Sequence, residues 1–289
     1  MKQLHMRFPQ GRTKALTLSY DDGCMEDRRL AAIFARHGLK CTFNLNSGLF
    51  SPPGTVYTAT QRLTLEDAKN LYADPLFEVA CHAIDHPNLA QMPPVFSYRQ
   101  ILYDRMALEQ HFGCRITGMA YPYGTYNDEV VRLCRSAGIR YARTVHSTHR
   151  FDLPADWLTL HPTCHHADPA LPELTERFLS AQYTASPQMF YVWGHSYEFS
   201  QEDNWSLIEG FAERVAGRED IWYATNSEIE SYCRDFGRLE FAADGSFVRN
   251  PNARTVWFAC SDGGEPHPLA PGETARLEAG EYAQKEAAK

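Results

Sequence analysis

The stretch Thr17-Leu18-Ser19-Tyr20-Asp21-Asp22-Gly23 is an apolar strand that ends abruptly in two carboxylates and a glycine. Further along the chain, a second apolar run, Phe77–Cys81, leads directly into His82 and His86. One carboxylate and two imidazoles are a ligand set that holds a catalytic metal ion and leaves coordination positions open for water. The second carboxylate is then free to act as a base, so the two stretches together indicate metal-assisted hydrolysis.

Each half of this pattern also has a simpler interpretation. Asp21 and Asp22 alone fit an Asx turn or a helix cap. A glycosidase acid pair is disfavoured, because such carboxyls come from separate elements whereas adjacent strand residues face opposite sides. His82 or His86 alone fits a buried histidine bonded to a carbonyl group, or a solvated one. Their joint occurrence favours the metal site, in which Gly23 loosens the backbone and lets both carboxylates turn toward one ion.

Strand-like and helix-like segments alternate along most of the chain, which predicts a parallel sheet. We therefore expect an α/β fold, a distorted (β/α) barrel, whose reacting groups gather at the carboxyl ends of the strands. Both opening stretches end there. The predicted strands are 15–20, 41–45, 77–81, 116–121, 140–145, 157–162, 189–193 and 221–225, and the predicted helices are 26–37, 68–72, 97–112, 127–137, 172–180, 205–215 and 227–236.

The pattern changes after Gly237 to short alternating strands separated by turns. We predict two parts, a barrel over residues 1–237 and a small C-terminal β appendage with a tail over 238–289. The appendage is expected to pack on the barrel bottom or on a partner, so a homo-oligomer formed through it is one possibility. Residues 283–289 are predicted to be a frayed tail.

Composition excludes several classes of function. The 289-residue chain is 44% hydrophobic and 22% charged, with a net charge of −8, which argues against nucleic-acid binding. No run approaches the roughly 18 apolar residues of a membrane span, and no signal peptide is visible, so a cytoplasmic location is expected. The eight cysteines contain no C-x-x-C pair, which favours free thiols over a disulfide framework or a cysteine zinc site.

These motifs resemble those of the polysaccharide deacetylase family (carbohydrate esterase family 4, the NodB-homology type) over roughly residues 14–236. The family's T-F-D-D-G matches Ser19-Tyr20-Asp21-Asp22-Gly23, and its H-[ST]-x-x-H-P matches His82-Ala83-Ile84-Asp85-His86-Pro87, with alanine at the small hydroxyl position. The resemblance implies that Asp21 is the catalytic base. It also implies that Asp22, His82 and His86 hold a divalent metal, zinc being the expected ion.

Two later motifs also match. The family's R-x-P-Y-G corresponds to Ala120-Tyr121-Pro122-Tyr123-Gly124, and the resemblance implies that the backbone N–H of Tyr123 helps to hold an oxyanion. An apolar strand ending in histidine corresponds to Tyr191-Val192-Trp193-Gly194-His195, which implies that His195 is the general acid. The implied activity is removal of acetyl groups from an N- or O-acetylated carbohydrate.

Two departures from the family pattern matter. The third-motif arginine, which orients the base, is Ala120 here, and the D-x-x-D-W motif is absent from its strand end. We hypothesise that Arg143, at the end of the next strand, supplies the guanidinium; the alternative is an ordinary surface arginine. Other candidates for the cleft are His165, His166 and Tyr197, for which packing or solvation is equally open.

Two rival functions remain at this stage. One is an amidohydrolase acting on a small non-sugar amide, which the lack of a visible signal peptide favours somewhat. The other is a non-catalytic sugar-binding relative, suggested by the missing third-motif arginine. Retention of all five motif carboxylates and imidazoles argues against the non-catalytic relative: Asp21, Asp22, His82, His86 and His195.

Overall fold

The computed structural model describes residues 4–181, 186–260 and 265–277. The strands are β1 Leu4–Arg7, β2 Lys14–Asp21, β3 Cys41–Leu45, β4 Phe77–Cys81, β5 Gly118–Ala120, β6 Tyr141–Arg143, β7 Cys164–His165, β8 Gln188–His195, β9 Ile221–Tyr223, β10 Glu240–Phe241, β11 Phe247–Arg249, β12 Val256–Cys260, β13 His267–Leu269 and β14 Thr274–Arg276. The helices are α1 Asp27–Arg36, α2 Leu65–Leu71, α3 Pro94–Phe112, α4 Asp128–Ser136, α5 Leu171–Ser180, α6 Ser196–Gln201, α7 Trp205–Val215 and α8 Asn226–Phe236. No helix within these ranges is long and apolar enough to cross a membrane.

A parallel sheet forms the centre of the molecule, in the order β6-β5-β4-β3-β2-β8-β7, with β9 also paired to β2. Strand β2 is buried along its whole length, as expected for a parallel strand covered on both faces. The strands curl into a distorted (β/α) barrel, which confirms the predicted fold class. The carboxyl ends of β2 and β8 are in register, with Asp21 opposite His195.

Polar side chains fill part of the barrel interior below Asp21. Thr17 Oγ1 donates to Asn226 Oδ1 over 2.8 Å, and Asn44 Nδ2 donates to Ser19 Oγ over 2.8 Å. Because strand residues alternate between faces, Thr17, Ser19 and Asp21 share one face of β2. The alternation therefore directs the Asp21 carboxylate inward at the end of the barrel.

The prediction of a strand over 157–162 is wrong. The Asp156 side chain accepts a hydrogen bond from Leu158 N–H and starts a 3₁₀ turn, Trp157–Thr159. Only Leu160 of this segment bridges to β6, at Arg143, and Pro162 has no N–H to continue a ladder. Three further elements were not predicted from the sequence: β1, the two-residue strand β7 and helix α6, which immediately follows His195.

The C-terminal residues form two small antiparallel sheets, β1-β12-β13 and β10-β11-β14. Strand β1 lies at the other end of the chain, so the first of these sheets crosses the predicted boundary at 237. It packs on α8, where Tyr232 Oη donates to Arg7 O over 2.7 Å and accepts from Trp257 N–H over 2.8 Å. The division at 237 and the homo-oligomer stay predictions, and the frayed tail at 283–289 lies outside the described residues.

Candidate active site

Backbone strain is concentrated at the carboxyl end of the barrel. Asp22, Ala83, His86 and Tyr123 have φ angles of 85°, 61°, 53° and 56°, and they are half of the eight described non-glycine residues with positive φ. Such conformations are costly and persist only where the surroundings hold them, which is typical of functional sites. At Asp22, the left-handed turn just past β2 brings its carboxylate toward the histidines.

Asp21 is a buried, ionised carboxylate. Its Oδ1 accepts a 2.8 Å hydrogen bond from Asn44 Nδ2, and its Oδ2 accepts one from Arg143 Nη2. Burial by itself would raise the pKa of Asp21, but the charges of Arg143, His82 and His195 outweigh burial and lower it to about 2. Asp21 is therefore negatively charged at neutral pH and can accept a proton.

The three predicted metal ligands lie together. Asp22 Oδ1 is 3.9 Å from His82 Nε2 and 4.0 Å from His86 Nε2, and one ligand atom from each residue lies within 4.8 Å of the others. One carboxylate and two imidazoles suit a divalent transition ion such as zinc. These residues could hold such an ion at the mouth of the barrel.

Both imidazoles are prepared to be ligands. His82 Nδ1 lies 2.8 Å from the Ala120 carbonyl oxygen, which can only accept, so Nδ1 carries the proton and Nε2 is left with its lone pair. Burial lowers the pKa of His82 to about 4 despite the opposing charges of Asp21 and Asp22, and burial also lowers the pKa of His86. Both rings are thus neutral at neutral pH, as metal binding requires.

The Asp22 carboxylate keeps a free acceptor for an ion. Its Oδ1 is buried and accepts no hydrogen bond from the described residues. Arg62 Nη1 lies 2.7 Å from this oxygen and forms an ion pair with it, but not a hydrogen bond. The same Nη1 donates a hydrogen bond to the backbone oxygen of Asp22. A buried oxygen that accepts no hydrogen bond and faces two neutral imidazoles has the capacity to bind a cation.

Arg143 lies beside the predicted base. It is fully buried, and its Nη1 donates to Thr144 O over 3.3 Å while Nη2 donates to Asp21. Its guanidinium also stacks over the Trp193 ring at 4.2 Å from the centroid. The alternative, an ordinary surface arginine, is therefore wrong. The guanidinium reaches Asp21 from β6, which pairs with β5, the strand that carries Ala120.

His195 ends β8 with its two ring nitrogens facing different carboxylates. Nε2 lies 3.9 Å from Asp21 Oδ2, and Nδ1 lies 3.2 Å from Glu198 Oε1. Burial opposes the charged form, but Glu198 and Asp21 outweigh it and raise the pKa of His195. Glu198 was not predicted as a site residue, because it lies in the first turn of the unpredicted helix α6.

Glu198 also contacts the adjacent histidines of the next loop. Its Oε2 lies 3.1 Å from His165 Nε2 and 3.3 Å from His166 Nε2. His166 is buried and His165 is partly exposed. Gly194 leaves the room for the buried ring, because a Cβ there would lie 2.0 Å from His166 Nδ1.

Asp104 on α3 supports the histidine segment, and it was also missed. Its Oδ1 accepts from Ser47 N–H over 2.8 Å, and its Oδ2 accepts from His82 N–H over 3.0 Å. Burial raises the pKa of Asp104 to about 7, although these hydrogen bonds act in the opposite direction. The carboxyl ties the ends of β3 and β4 to each other below the site.

Aromatic rings border the group of predicted ligands. The Tyr123 side chain is exposed, with its ring centroid 4.5 Å from that of His86. The Tyr197 ring lies 5.1 Å from the His195 ring, and Tyr126 stacks on buried Tyr121 at 5.1 Å. The rim therefore offers flat apolar faces on two sides of the site.

Comparisons with known proteins agree with this fold. Residues 9–142 match the family model described as polysaccharide deacetylase. A polysaccharide-deacetylase-type protein from Mycobacterium smegmatis aligns with a TM-score of 0.57 at 18% identity, over 82% of this chain and 96% of that one. At this identity the likeness shows the fold.

Two further solved structures align less closely. The Streptococcus pyogenes deacetylase PplD, in complex with acetate, has a TM-score of 0.41 at 21% identity over 45% of this chain and only 55% of PplD. A family 4 carbohydrate esterase from Streptomyces lividans, in complex with acetate, has a TM-score of 0.48 at 15% identity over 73% of this chain and 91% of that one. No curated protein matches significantly. Over residues 9–142, a little under half of its length, the chain is therefore similar to the polysaccharide deacetylase family.

Proposed function

We propose that this protein is a metal-dependent deacetylase that hydrolyses the acetyl group of an N- or O-acetylated carbohydrate. One observation carries the proposal: two neutral imidazoles and a buried carboxylate oxygen that accepts no hydrogen bond from the described residues converge beside a second, ionised carboxylate. That combination supplies a cation site and a base at one place, as hydrolysis of an amide or ester requires.

Asp22, His82 and His86 are the residues that would hold the ion, and zinc is the ion that this ligand set suits best. When bound, such an ion polarises a carbonyl group and lowers the pKa of a water molecule. Asp21 accepts the proton of the attacking water. Both of its oxygens already accept hydrogen bonds, but a carboxylate has about four lone-pair positions, so it retains capacity for that proton.

His195 gives a proton to the leaving amine or alcohol from Nε2, the nitrogen on the Asp21 side of the ring. Glu198 faces Nδ1 and favours the charged imidazolium. The Tyr123 backbone N–H stabilises the oxyanion, and the positive φ of Tyr123 is the conformation in which the chain presents it. The exposed Tyr123 ring and the half-buried Tyr197 ring provide faces on which a sugar ring can stack.

Metal analysis after dialysis tests the proposed ligand set. We expect one tightly bound divalent ion, with His82→Ala and His86→Ala each losing most of it, because each removes one of three ligands. His111→Ala, a histidine on α3 outside the site, is the control and should keep the wild-type content. Undiminished metal in both ligand variants would contradict the assignment.

Acetate release tests the substrate class. We expect turnover of N-acetylated chitooligosaccharides or O-acetylated xylo-oligosaccharides, because the rim presents aromatic faces to a sugar. A small aryl acetamide lacks a sugar ring and should be hydrolysed more slowly. Preference for the aryl acetamide would favour a small-amide hydrolase, and release from none of the three by metal-loaded protein would contradict deacetylation.

The pH profile tests the His195–Glu198 pair. A general acid must be protonated, so a raised His195 pKa keeps the enzyme active to higher pH. Glu198→Gln removes the negative charge, and we expect the alkaline limb of kcat to move to lower pH. Glu202→Gln, at an exposed position just beyond α6, is the control and should leave the profile unchanged. If the alkaline limb of kcat were the same in Glu198→Gln and wild type, Glu198 would not influence the protonation of His195.

A further inference from the structure

A second group of metal-ligating side chains lies on the far side of the His195 ring. His165 at the end of β7, His195 at the end of β8 and Glu198 in α6 each offer one ligand atom, all within 4.8 Å of one another. Glu198 Oε2 is 3.1 Å from His165 Nε2, and Oε1 is 3.2 Å from His195 Nδ1. Ligands of a tetrahedral zinc ion are about 3.3 Å apart, which follows from zinc–nitrogen distances of about 2.0 Å.

The chemistry of the group suits a borderline ion. Two imidazoles and one carboxylate are ligands that zinc, cobalt and nickel accept, whereas magnesium and calcium prefer oxygen alone. The three side chains are 20–29% exposed, which leaves an entry path.

The two groups are distinct. His195 Nε2 and His82 Nε2 lie 3.9 and 3.8 Å from the same atom, Asp21 Oδ2. Both rings therefore approach Asp21, but the Asp22 group and the His165–His195–Glu198 group share no residue. The atom that belongs to the second group is the other ring nitrogen, Nδ1, which lies next to Glu198.

We propose that His165, His195 and Glu198 form a second site for a divalent transition ion such as zinc, and that its occupation inhibits the enzyme. His195 Nδ1 is buried and has no hydrogen-bond partner among the described residues. An ion bound there excludes a proton from Nδ1, because a metal-ligating nitrogen must be deprotonated. The remaining Nε2 proton then belongs to a neutral imidazole, which releases it poorly. Binding itself is independent of the proposed function, whereas the inhibition rests on it.

Equilibrium dialysis of the full chain against zinc chloride tests the second site. We expect two bound ions for wild type, one for His165→Ala, and one for His82→Ala, which disrupts only the first group. Glu198→Gln should also lose the second ion, which keeps the test informative if His165→Ala misfolds. The control is His149→Ala, on a neighbouring loop where the ring pairs with Asp168, and it should bind two ions.

The outcomes separate this site from the first. A single wild-type ion that persists in His165→Ala and disappears in His82→Ala would overturn the second site and leave the proposed function intact. A single wild-type ion that persists in His82→Ala and disappears in His165→Ala would support the second site and contradict the first. In assays, excess zinc should lower the wild-type rate but not that of His165→Ala, and an equal fall in both would overturn the inhibitory role.

Discussion

Asp21→Asn should fold, retain its metal and lose about 100- to 10,000-fold in turnover, the usual effect of removing a general base. Asparagine has nearly the same shape, so its side-chain oxygen can still accept from Arg143. It cannot take a proton from water at neutral pH, whereas Asp21 is ionised down to a pKa of about 2. Measuring kcat beside metal content separates loss of the base from loss of the ion.

A matched control removes a charge nearby without touching the proposed chemistry. Asp85 lies in the same loop as His82 and His86, is exposed, and accepts from Gln100. Asp85→Asn should therefore keep turnover within about two-fold, as expected for a surface substitution. A wild-type rate in Asp21→Asn would mean that another group accepts the proton, and lost metal would mean that Asp21 is a ligand.

The motif residues were accessible from the sequence because they follow strongly apolar strands. Strands 41–45 and 77–81 and helix 205–215 match their predicted bounds. Parallel strands bring their carboxyl ends to one edge, so Asp21, Asp22, His82 and His195 had to meet there once the strand pattern was known.

The supporting residues were harder to identify, because their partners are distant in sequence. Asp104 shares the buried face of α3 with Ser97, Ile101 and Leu108, and a charged residue on such a face was an available signal. Ala120 acts through its carbonyl oxygen, which any residue supplies, so its identity carries no signal. Glu198 belongs to a short helix that begins directly at the end of β8. Because no turn residue separates the strand from this helix, the sequence did not indicate where the helix begins.

Arg143 offers the second large effect, in stability as well as in rate. The guanidinium and the Asp21 carboxylate are both buried and paired. Arg143→Ala leaves Asp21 without its main positive partner, and removing one member of a buried pair typically costs about 3–5 kcal/mol. We expect a lower unfolding temperature, a turnover reduced by about 10- to 100-fold as for other orienting partners, and unchanged metal content.

Arg143→Lys is the sharper experiment, because it keeps the positive charge. Arg143 donates to Asp21 and to Thr144 O while its guanidinium lies over the Trp193 ring. An ammonium group lacks the planar fork that makes these contacts together. Lysine should therefore recover part of the stability but little of the turnover. Arg140→Ala, at the opposite end of the same strand region, is the control for loss of an arginine. If Arg143→Lys had the same turnover as wild type, a positive charge alone would be sufficient beside Asp21. The planar guanidinium of Arg143 would then not be the replacement for the arginine that is Ala120 in this chain.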